Sequence, residues 1–256
     1  MDELTRNLRP GLVLWAITYF FYVNSTQNAV RAMAERDAHE GTTVLAEMQS
    51  RGVGRLGRNW SSPYCGIWLS SLLRPRRTLE NQLLTIAASL AITRAVSAVC
   101  GIKSELKWPN DVQIGGRKVA GVLGTSEYRG ERLRSVAVGL GINANIDLNL
   151  LPGSFRDQAT SLKAELGAKV DREQLIASAL NNLSSLYAKL ERAEEDEIVD
   201  EARKNCSTLG RRIQVRMGSR LLKGVAQDLD RDGSLILEVE EGRTVRLYSH
   251  DVSLLP

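Results

Sequence analysis

The feature that most narrows what this chain can fold into is a glycine-spaced loop that does not lead into a helix. Residues 52–57 read Gly52-Val53-Gly54-Arg55-Leu56-Gly57, formally the G-x-G-x-x-G of a dinucleotide site. The same run is one step from a phosphate-binding P-loop, with Arg58-Asn59 where a lysine and a hydroxyl residue belong. Both motifs need a helix to open at the last glycine, so that its N-terminus faces the phosphates. Here Asn59-Trp60-Ser61-Ser62-Pro63 follows, and Pro63 with its polar neighbours opposes a helix. No regular strand–helix–strand series surrounds the loop either. What remains is a flexible loop with exposed backbone N–H groups. Its three arginines, Arg51, Arg55 and Arg58, stay ionised and can grip planar anions at two points. Trp60 at its end supplies a flat apolar lid.

Charge distribution sharpens that reading. Basic residues number 34 against 30 acidic, a net of +4, too weak to imply nucleic-acid binding by itself. Between Glu47 and Glu80, however, there are six arginines and no acid. A stretch of one sign raises the local concentration of an anionic partner. Arg74, Arg76 and Arg77 fit a solvated basic face equally well. With 256 residues, 43% of them hydrophobic, the chain has room for one large domain and a small one. Cys65, Cys100 and Cys206 lie far apart, and only His39 and His250 could join them, which argues against a zinc site. Sparse, unpaired cysteines fit a reducing cytosol and read as buried free thiols. Gly11–Val23 is too short to span a bilayer and lacks the start of a signal peptide, so it reads as a core strand with its approach. Leu83–Val99 contains Arg94 and several hydroxyl residues and reads as a buried helix. No targeting or membrane segment is visible, and the cytoplasm is the default compartment.

Along the chain, Tyr19–Val23 is aromatic and β-branched, hence strand-like. Asn24-Ser25-Thr26 offers helix-capping side chains for a helix over 27–38 that ends at Gly41. Thr42–Ala46 and Ile67–Leu73 read as strands on either side of the glycine loop. After the 81–99 helix, Leu106–Trp108 is stopped by Pro109. Gly115-Gly116 signals a hairpin into Lys118–Leu123, and Ser135–Ile142 follows as a strand. Residues 144–161 look like a long loop, of a length that tends to be functional or disordered. A helix spans 171–192, with Leu175, Ile176, Leu180, Leu183, Leu186 and Leu190 near helical spacing. The acidic run Glu194–Glu201 continues or caps it. After Gly210 short alternating segments appear, 212–217, 222–229, 234–239 and 244–248, split by turns such as Asp232-Gly233 and Glu241-Gly242. That is the pattern of a small all-β module, with the boundary near residue 207.

A second group of chemistry-bearing residues is Lys107-Trp108-Pro109-Asn110-Asp111. Its amide donates and accepts, and its carboxylate accepts or meets a metal. The Gly115-Gly116 turn brings Lys118 back alongside it, and Gly121 allows a ligand close to the strand. A plain surface hairpin with a salt bridge is the alternative reading.

Taken in order, these motifs resemble the biotin–protein ligase family. The resemblance rests on Gln49 with Gly52–Trp60, then Lys107–Asp111, Lys118–Leu123 and Gly139-Leu140-Gly141-Ile142-Asn143. Asn24-Ser25-Thr26-Gln27 stands where that family has an Asp-Ser-Thr-Asn segment, and Ala159-Thr160-Ser161-Leu162 is similar to the end of its adenylate-covering loop. Gly224-Val225-Ala226 through Asp232-Gly233, with Asp251-Val252-Ser253-Leu254, resembles its small C-terminal domain.

The resemblance implies an α+β fold: a mixed sheet with helices, as in class II synthetases and the biotin–lipoate ligases, over 1–206. A small SH3-like β-barrel over 207–256 follows. It implies a ligase that activates biotin with ATP as biotinyl-5'-AMP and transfers it to a lysine of a biotin carboxyl carrier protein. By it, Ser25, Thr26, Gln27, Gln49, Gly52, Val53, Gly54, Arg55, Lys118 and Gly121 hold biotin. Arg55, Trp60, Lys107, Asn110, Asp111, Lys118 and Asn143 surround the adenylate, and Lys118 and Arg55 carry the catalysis. Magnesium (Mg2+) is expected with ATP, Asp111 being the nearest residue to assist it, and no resident metal site is assigned. The family includes homodimers built through the catalytic domain.

Val53 departs from the family's usual arginine and removes one charge from the loop. Gln27 replaces the common asparagine, and Gly124-Thr125-Ser126 stands where an acid often comes sooner. Ser25-Thr26 begins too early for a preceding winged-helix domain, so no DNA partner and no repressor role are expected. The nearest rival is a lipoate or octanoate ligase. A rival of another class is a nucleic-acid-binding regulator, which needs stacking aromatics on the small module, where Tyr248 alone is found.

Overall fold

The structure, a computed structural model, describes residues 2–217, 220–239, 242–248 and 251–254. His250 and Glu241, named above, lie outside these. Helix α1 (Asp2–Asn7) leads to β1 (Ala16–Val23), α2 (Thr26–Glu35), β2 (Thr42–Gln49), β3 (Ile67–Leu73) and α3 (Asn81–Cys100). Then come β4 (Glu105–Lys107), β5 (Asp111–Ile114), β6 (Arg117–Arg129) and β7 (Arg132–Ile142). The helical segments α4 (Gly153–Arg156), α5 (Leu162–Leu166), α6 (Arg172–Glu191) and α7 (Glu195–Asn205) close the larger unit. Strands β8 (Arg212–Met217), β9 (Arg220–Leu229), β10 (Leu235–Val239), β11 (Thr244–Leu247) and β12 (Asp251–Leu254) form the smaller one.

Seven strands make one mixed sheet in the order β1-β2-β3-β7-β6-β5-β4, with β1 and β2 parallel and the other pairs antiparallel. Five antiparallel strands make the second sheet, β11-β10-β9-β8-β12, the small SH3-like barrel. The α+β class read from the chain therefore stands.

Helix α3 is apolar all round, which requires cover on every side. It lies between the sheet and α6, and its window long and apolar enough to cross a membrane is 72% buried inside the protein. Its hydroxyl residues Thr85, Ser89 and Thr93 donate back to the carbonyls four residues earlier, at 2.8, 2.9 and 3.0 Å, so no buried O–H there is left unpaired. Helix α6 is capped by Asp171, whose carboxylate accepts from the Gln174 N–H at 3.0 Å. The acidic run after it forms a separate helix, because Ala193 takes a positive φ of 61° and turns the chain.

Several boundaries move. Helix α2 stops at Glu35, short of Gly41, because Asp37 adopts φ 57° and Arg74 donates to the Ala34 and Ala38 carbonyls that end it. Arg77 donates to the Leu190 carbonyl and pairs with Glu195, and the Arg76 backbone N–H bonds Glu191. The side chains of Arg74 and Arg77 are therefore tied to helix ends, while Arg76 is held by its backbone and its side chain is exposed. β2 and β6 run longer than the apolar pattern suggests, to Gln49 and Arg129. The long loop 144–161 contains a 3-10 turn at Leu148–Leu150 and the short α4.

The core-strand reading of Gly11–Val23 is corrected. β1 is the edge strand, and Tyr19, Phe20, Phe21 and Tyr22 are all exposed, because α2 packs over β2, β3 and β7 and leaves β1 uncovered. The three cysteines are free but half-buried. Burial pushes the Cys100 and Cys206 thiols above their ordinary range, which keeps them protonated and unreactive.

Candidate active site

The glycine loop is a folded turn. Gly54 N–H donates to the Arg58 carbonyl at 2.7 Å and Trp60 N–H to the Gly52 carbonyl at 2.8 Å, so residues 52–60 double back as a narrow hairpin. Its tip is a 3-10 turn at Arg55–Gly57, with Leu56 in the left-handed region. As the sequence required, no helix opens after it. Glycine is needed at position 52 for packing: a Cβ there would lie 2.3 Å from the Trp60 carbonyl.

This turn lies against the β5–β6 hairpin. Gly115 and Gly116, both at positive φ, make the tight connection that returns Lys118 beside Asp111. Lys118 Nζ sits 2.6 Å from Asp111 Oδ1 and 4.9 Å from the centre of the Trp60 ring. Arg55 Nη1 donates to Asn110 Oδ1 at 2.9 Å, and Asn110 Nδ2 donates to the Val122 carbonyl at 2.8 Å. Arg55 and Lys118 thus reach adjacent residues of one strand start. The guanidinium, ammonium and indole converge, and the carboxylate of Asp111 offsets part of the positive charge.

Trp60 is held edge-on to Trp68, with ring centres 6.4 Å apart. Its indole rests over Gly121 and Gly141: a Cβ would come within 3.0 Å of the ring at Gly121 and 2.7 Å at Gly141. The two glycines are the floor on which the ring lies flat. Replacing Gly141 with valine should lift the ring and weaken binding of biotin, the ligand that the sequence resemblance implies, by about tenfold, near 1.4 kcal/mol. Titration calorimetry checks this, and an unchanged affinity would separate Trp60 from the ligand cavity.

A second network joins the end of β1 to the same loop. Gln49 Oε1 accepts from the Thr26 backbone N–H at 2.8 Å and its hydroxyl at 3.1 Å, while Gln49 Nε2 donates to Ser62 Oγ at 2.7 Å. Ser25 caps α2 through the Asn28 N–H at 3.4 Å. A cleft lined by Gln49, Gly52, Trp60 and Ser62 on one side and Pro152 and Phe155 on the other opens beside it.

Four predicted site residues make none of these contacts. Gln27 is buried inside the sheet, donating to Thr125 Oγ1 at 3.0 Å and the Ala137 carbonyl at 2.9 Å and accepting from Ser70 at 2.9 Å. Asn143 is buried and donates to the Thr160 carbonyl at 3.0 Å. Lys107 is half-buried on β4 and makes no ion pair with the others among the described residues. Val53 is a backbone partner of Asn59, with its side chain outward.

The sequence reading missed two contributors. The Lys118 backbone is held from both sides by the covering loop: its N–H donates to the Gln158 carbonyl at 2.8 Å, and its carbonyl accepts from Thr160 N–H at 2.9 Å. Trp108, inside the most distinctive string, points away from the cluster. It is 1% exposed, and its indole N–H donates to the Gly233 carbonyl of the small module at 2.9 Å.

Comparison with known proteins agrees with this geometry. Residues 19–143 match the Biotin/lipoate A/B protein ligase family, and residues 208–255 match the biotin protein ligase C terminal domain. The Bifunctional ligase/repressor BirA of Bacillus subtilis is 33% identical over 255 residues, covering 99% of this chain and 78% of that protein. The biotin--[acetyl-CoA-carboxylase] ligase of Paracoccus denitrificans is 34% identical over 210 residues, 79% of this chain and 86% of that one. Among solved structures, the biotin protein ligase from Aquifex aeolicus in complex with biotin and ATP superposes with a TM-score of 0.82. It is 28% identical and covers 94% of this chain and 99% of that one. On its sequence, its two matched domains and its fold, the chain belongs to the biotin protein ligase family.

Proposed function

We propose that this chain joins biotin to a lysine of a carboxylase carrier domain in two steps, using ATP. The single observation that carries the reading is the convergence of Arg55, Lys118 and Trp60 on the Asn110-Asp111 corner. In the first step a biotin carboxylate oxygen bonds the α-phosphorus of ATP and the bond to the β-phosphate oxygen breaks, releasing pyrophosphate. In the second the acceptor lysine amine bonds the acyl carbon and loses a proton, and the acyl–oxygen bond to AMP breaks. Both reactants of the first step are anions, so fixed cations must neutralise the charge gathering on phosphorus. Lys118 has that task, exchanging Asp111 for the substrates. Holding the two groups in line supplies much of the remaining acceleration.

In this reading Ser25, Thr26, Gln49 and the backbone of Gly52, Val53 and Gly54 frame the biotin end of the cleft, with Gly121 beneath. Trp60 and Asn110 flank the adenylate. Gln27 and Asn143 act as positioning residues, the first by fixing α2 on the sheet and the second by anchoring the covering loop. Lys107 adds positive charge near the nucleotide. Residues 1–206 form the catalytic unit and 207–256 the appended module, in a cytoplasmic enzyme. Among the described residues no three His, Cys, Asp or Glu side chains gather, and Asp111 is already paired. That donor set does not fit a resident metal, and magnesium enters here as part of the nucleotide substrate.

The test offers ATP with biotin, lipoate or octanoate and a purified carrier domain. Biotin alone should drive AMP release and a one-biotinyl gain in carrier mass; an adenylate formed from lipoate instead would overturn the reading. Arg55→Gly removes a charge-assisted bond worth ~1.5–3 kcal/mol. The adenylate should then dissociate roughly 10- to 100-fold faster by filter retention of labelled biotin. An unchanged off-rate would take Arg55 out of the retention role.

A further inference from the structure

Among the described residues Glu47 is the one charged side chain in the core, 6% exposed. It stands on β2, two residues before Gln49, and takes no part in the reaction outlined above. A buried carboxylate is costly unless its lone pairs find donors. Here they do. Arg172 Nη1 and Nη2 donate to Oε1 and Oε2 at 2.7 and 3.1 Å. The Cys65 backbone N–H donates to Oε1 at 3.1 Å and the Tyr19 hydroxyl to Oε2 at 3.4 Å. Arg172 is the first residue of α6, where a cation opposes the helix dipole. A pair that is desolvated at one partner and opposed by a dipole at the other is a weak source of stability. Its placement is better explained by what it holds.

Residues 61–66 carry the chain from Trp60 into β3 and so root the glycine turn. Gln49 grips the start of this segment at Ser62, and Trp68 Nε1 donates to the Pro63 carbonyl at 3.0 Å. The pair grips its end: Glu47 takes the Cys65 N–H, and Arg172 Nη1 donates to the Gly66 carbonyl at 2.9 Å. A Cβ at Gly66 would lie 1.9 Å from the Trp68 ring, so the end has no slack. Cys65 takes φ 72°, a conformation that L residues avoid and that its surroundings must enforce. The Cys65 carbonyl accepts from Asn145 N–H at 2.9 Å, two residues after Asn143, where the covering loop begins. The Asn145 side chain in turn bonds the Val170 N–H and carbonyl at 2.8 and 2.9 Å, just ahead of Arg172. Arg172, Glu47, Cys65, Asn145 and Val170 thus close a ring, and the glycine turn and the covering loop both start from it.

We infer that Glu47 and Arg172 are a positioning pair for adenylate formation, fixing the common root of the glycine turn and the covering loop. The inference rests on the function proposed above. Neither residue meets a substrate; both act through Cys65 and Gly66. A shift of that root passes along the Trp68–Pro63 and Gln49–Ser62 bonds to Trp60 and Gln49, the parts of the cleft nearest the acid. In-line reaction is sensitive to displacements of about 1 Å, so a small shift there is a large loss of rate. Arginine suits the task better than lysine, because its planar fork meets both carboxylate oxygens and a carbonyl at once.

The test separates position from stability, using urea midpoints and pyrophosphate release with ATP and biotin. Arg172→Met strands a buried carboxylate and should lower both the midpoint and the rate. Adding Glu47→Leu removes that charge and should restore the midpoint, since an apolar pair replaces a buried ion pair with little loss. The rate should not return with it: kcat/KM for biotin should stay about 10- to 100-fold below that of the unmodified chain. Arg172→Lys keeps the charge without the fork; it should hold the midpoint and recover kcat/KM to about 3- to 10-fold below normal. Arg94→Met, which breaks the ion pair of α3 with Glu201 on α7, should leave kcat/KM unchanged. A double variant with a normal midpoint and a normal rate would overturn the inference, as would an equal loss in Arg94→Met. If the double variant does not regain its midpoint, Arg172→Lys decides: a normal midpoint with a normal kcat/KM overturns the positioning role. An unmodified chain that releases no pyrophosphate with biotin would instead be a failure of the proposed function, seen before any variant is made.

Discussion

Lys118→Ala should lower the rate of biotinyl-adenylate formation by about 100- to 1,000-fold, the loss typical when one preorganised stabilising group is removed from a charge-developing transition state. The ammonium now lies 2.6 Å from Asp111 and 4.9 Å from the Trp60 ring centre, within reach of any anion entering above the indole. Its removal leaves Asp111 unpaired, a negative charge facing two negative substrates. The loss should therefore appear mainly in kcat of the first step, read by pyrophosphate release. Supplying chemically made biotinyl-adenylate should bypass much of the defect, because transfer to the carrier lysine no longer gathers charge on phosphorus. A mutant that forms adenylate at the unmodified rate would remove Lys118 from the chemistry.

The largest stability effect is expected at Trp108. Truncating a fully buried tryptophan to alanine costs about 3–5 kcal/mol, and this one also bridges two units through its indole N–H. Trp108→Ala should lower the urea midpoint accordingly and expose the small module to protease. Trp108→Phe keeps most of the ring and loses the bond to Gly233, for about 1–2 kcal/mol. A cost under about 1 kcal/mol for the alanine variant would show that the small module is held elsewhere. Gly233 itself fits tightly against α3, a Cβ there lying 2.9 Å from Ile86 Cδ1, so the contact has little room to slide.

Legibility in the sequence followed the range over which each feature is decided. The glycine turn, the Gly115-Gly116 hairpin and the cap of α2 are set by neighbours within a few residues, and all were readable. Strand β3 and helix α3 were readable because their apolar runs are bounded by clear stops. The aromatic run of β1 was misread because burial on two faces and exposure at an edge have the same residue pattern; strand order, a non-local property, separates them. Gln27 looks like a ligand residue beside Ser25-Thr26, yet its partner at Ala137 lies 110 residues on. Trp108 shares a string with Asn110 and Asp111 but points the other way, to a carbonyl 125 residues on. The Arg172–Glu47 ion pair, which ties α6 to β2 at 2.7 Å, has no local signature at all.

The stitch between Lys118 and residues 158–160 has a consequence for timing. Asn143 and Thr160 pin one end of that segment, and its other apolar anchors, Ile146, Leu151 and Ala159, share a small cluster with Trp68 on which Trp60 leans. Whatever immobilises residues 147–157 will also stiffen the lysine's main chain and steady the indole behind it. A ligand packed against residues 147–157 would therefore be felt at the lysine and at the indole together.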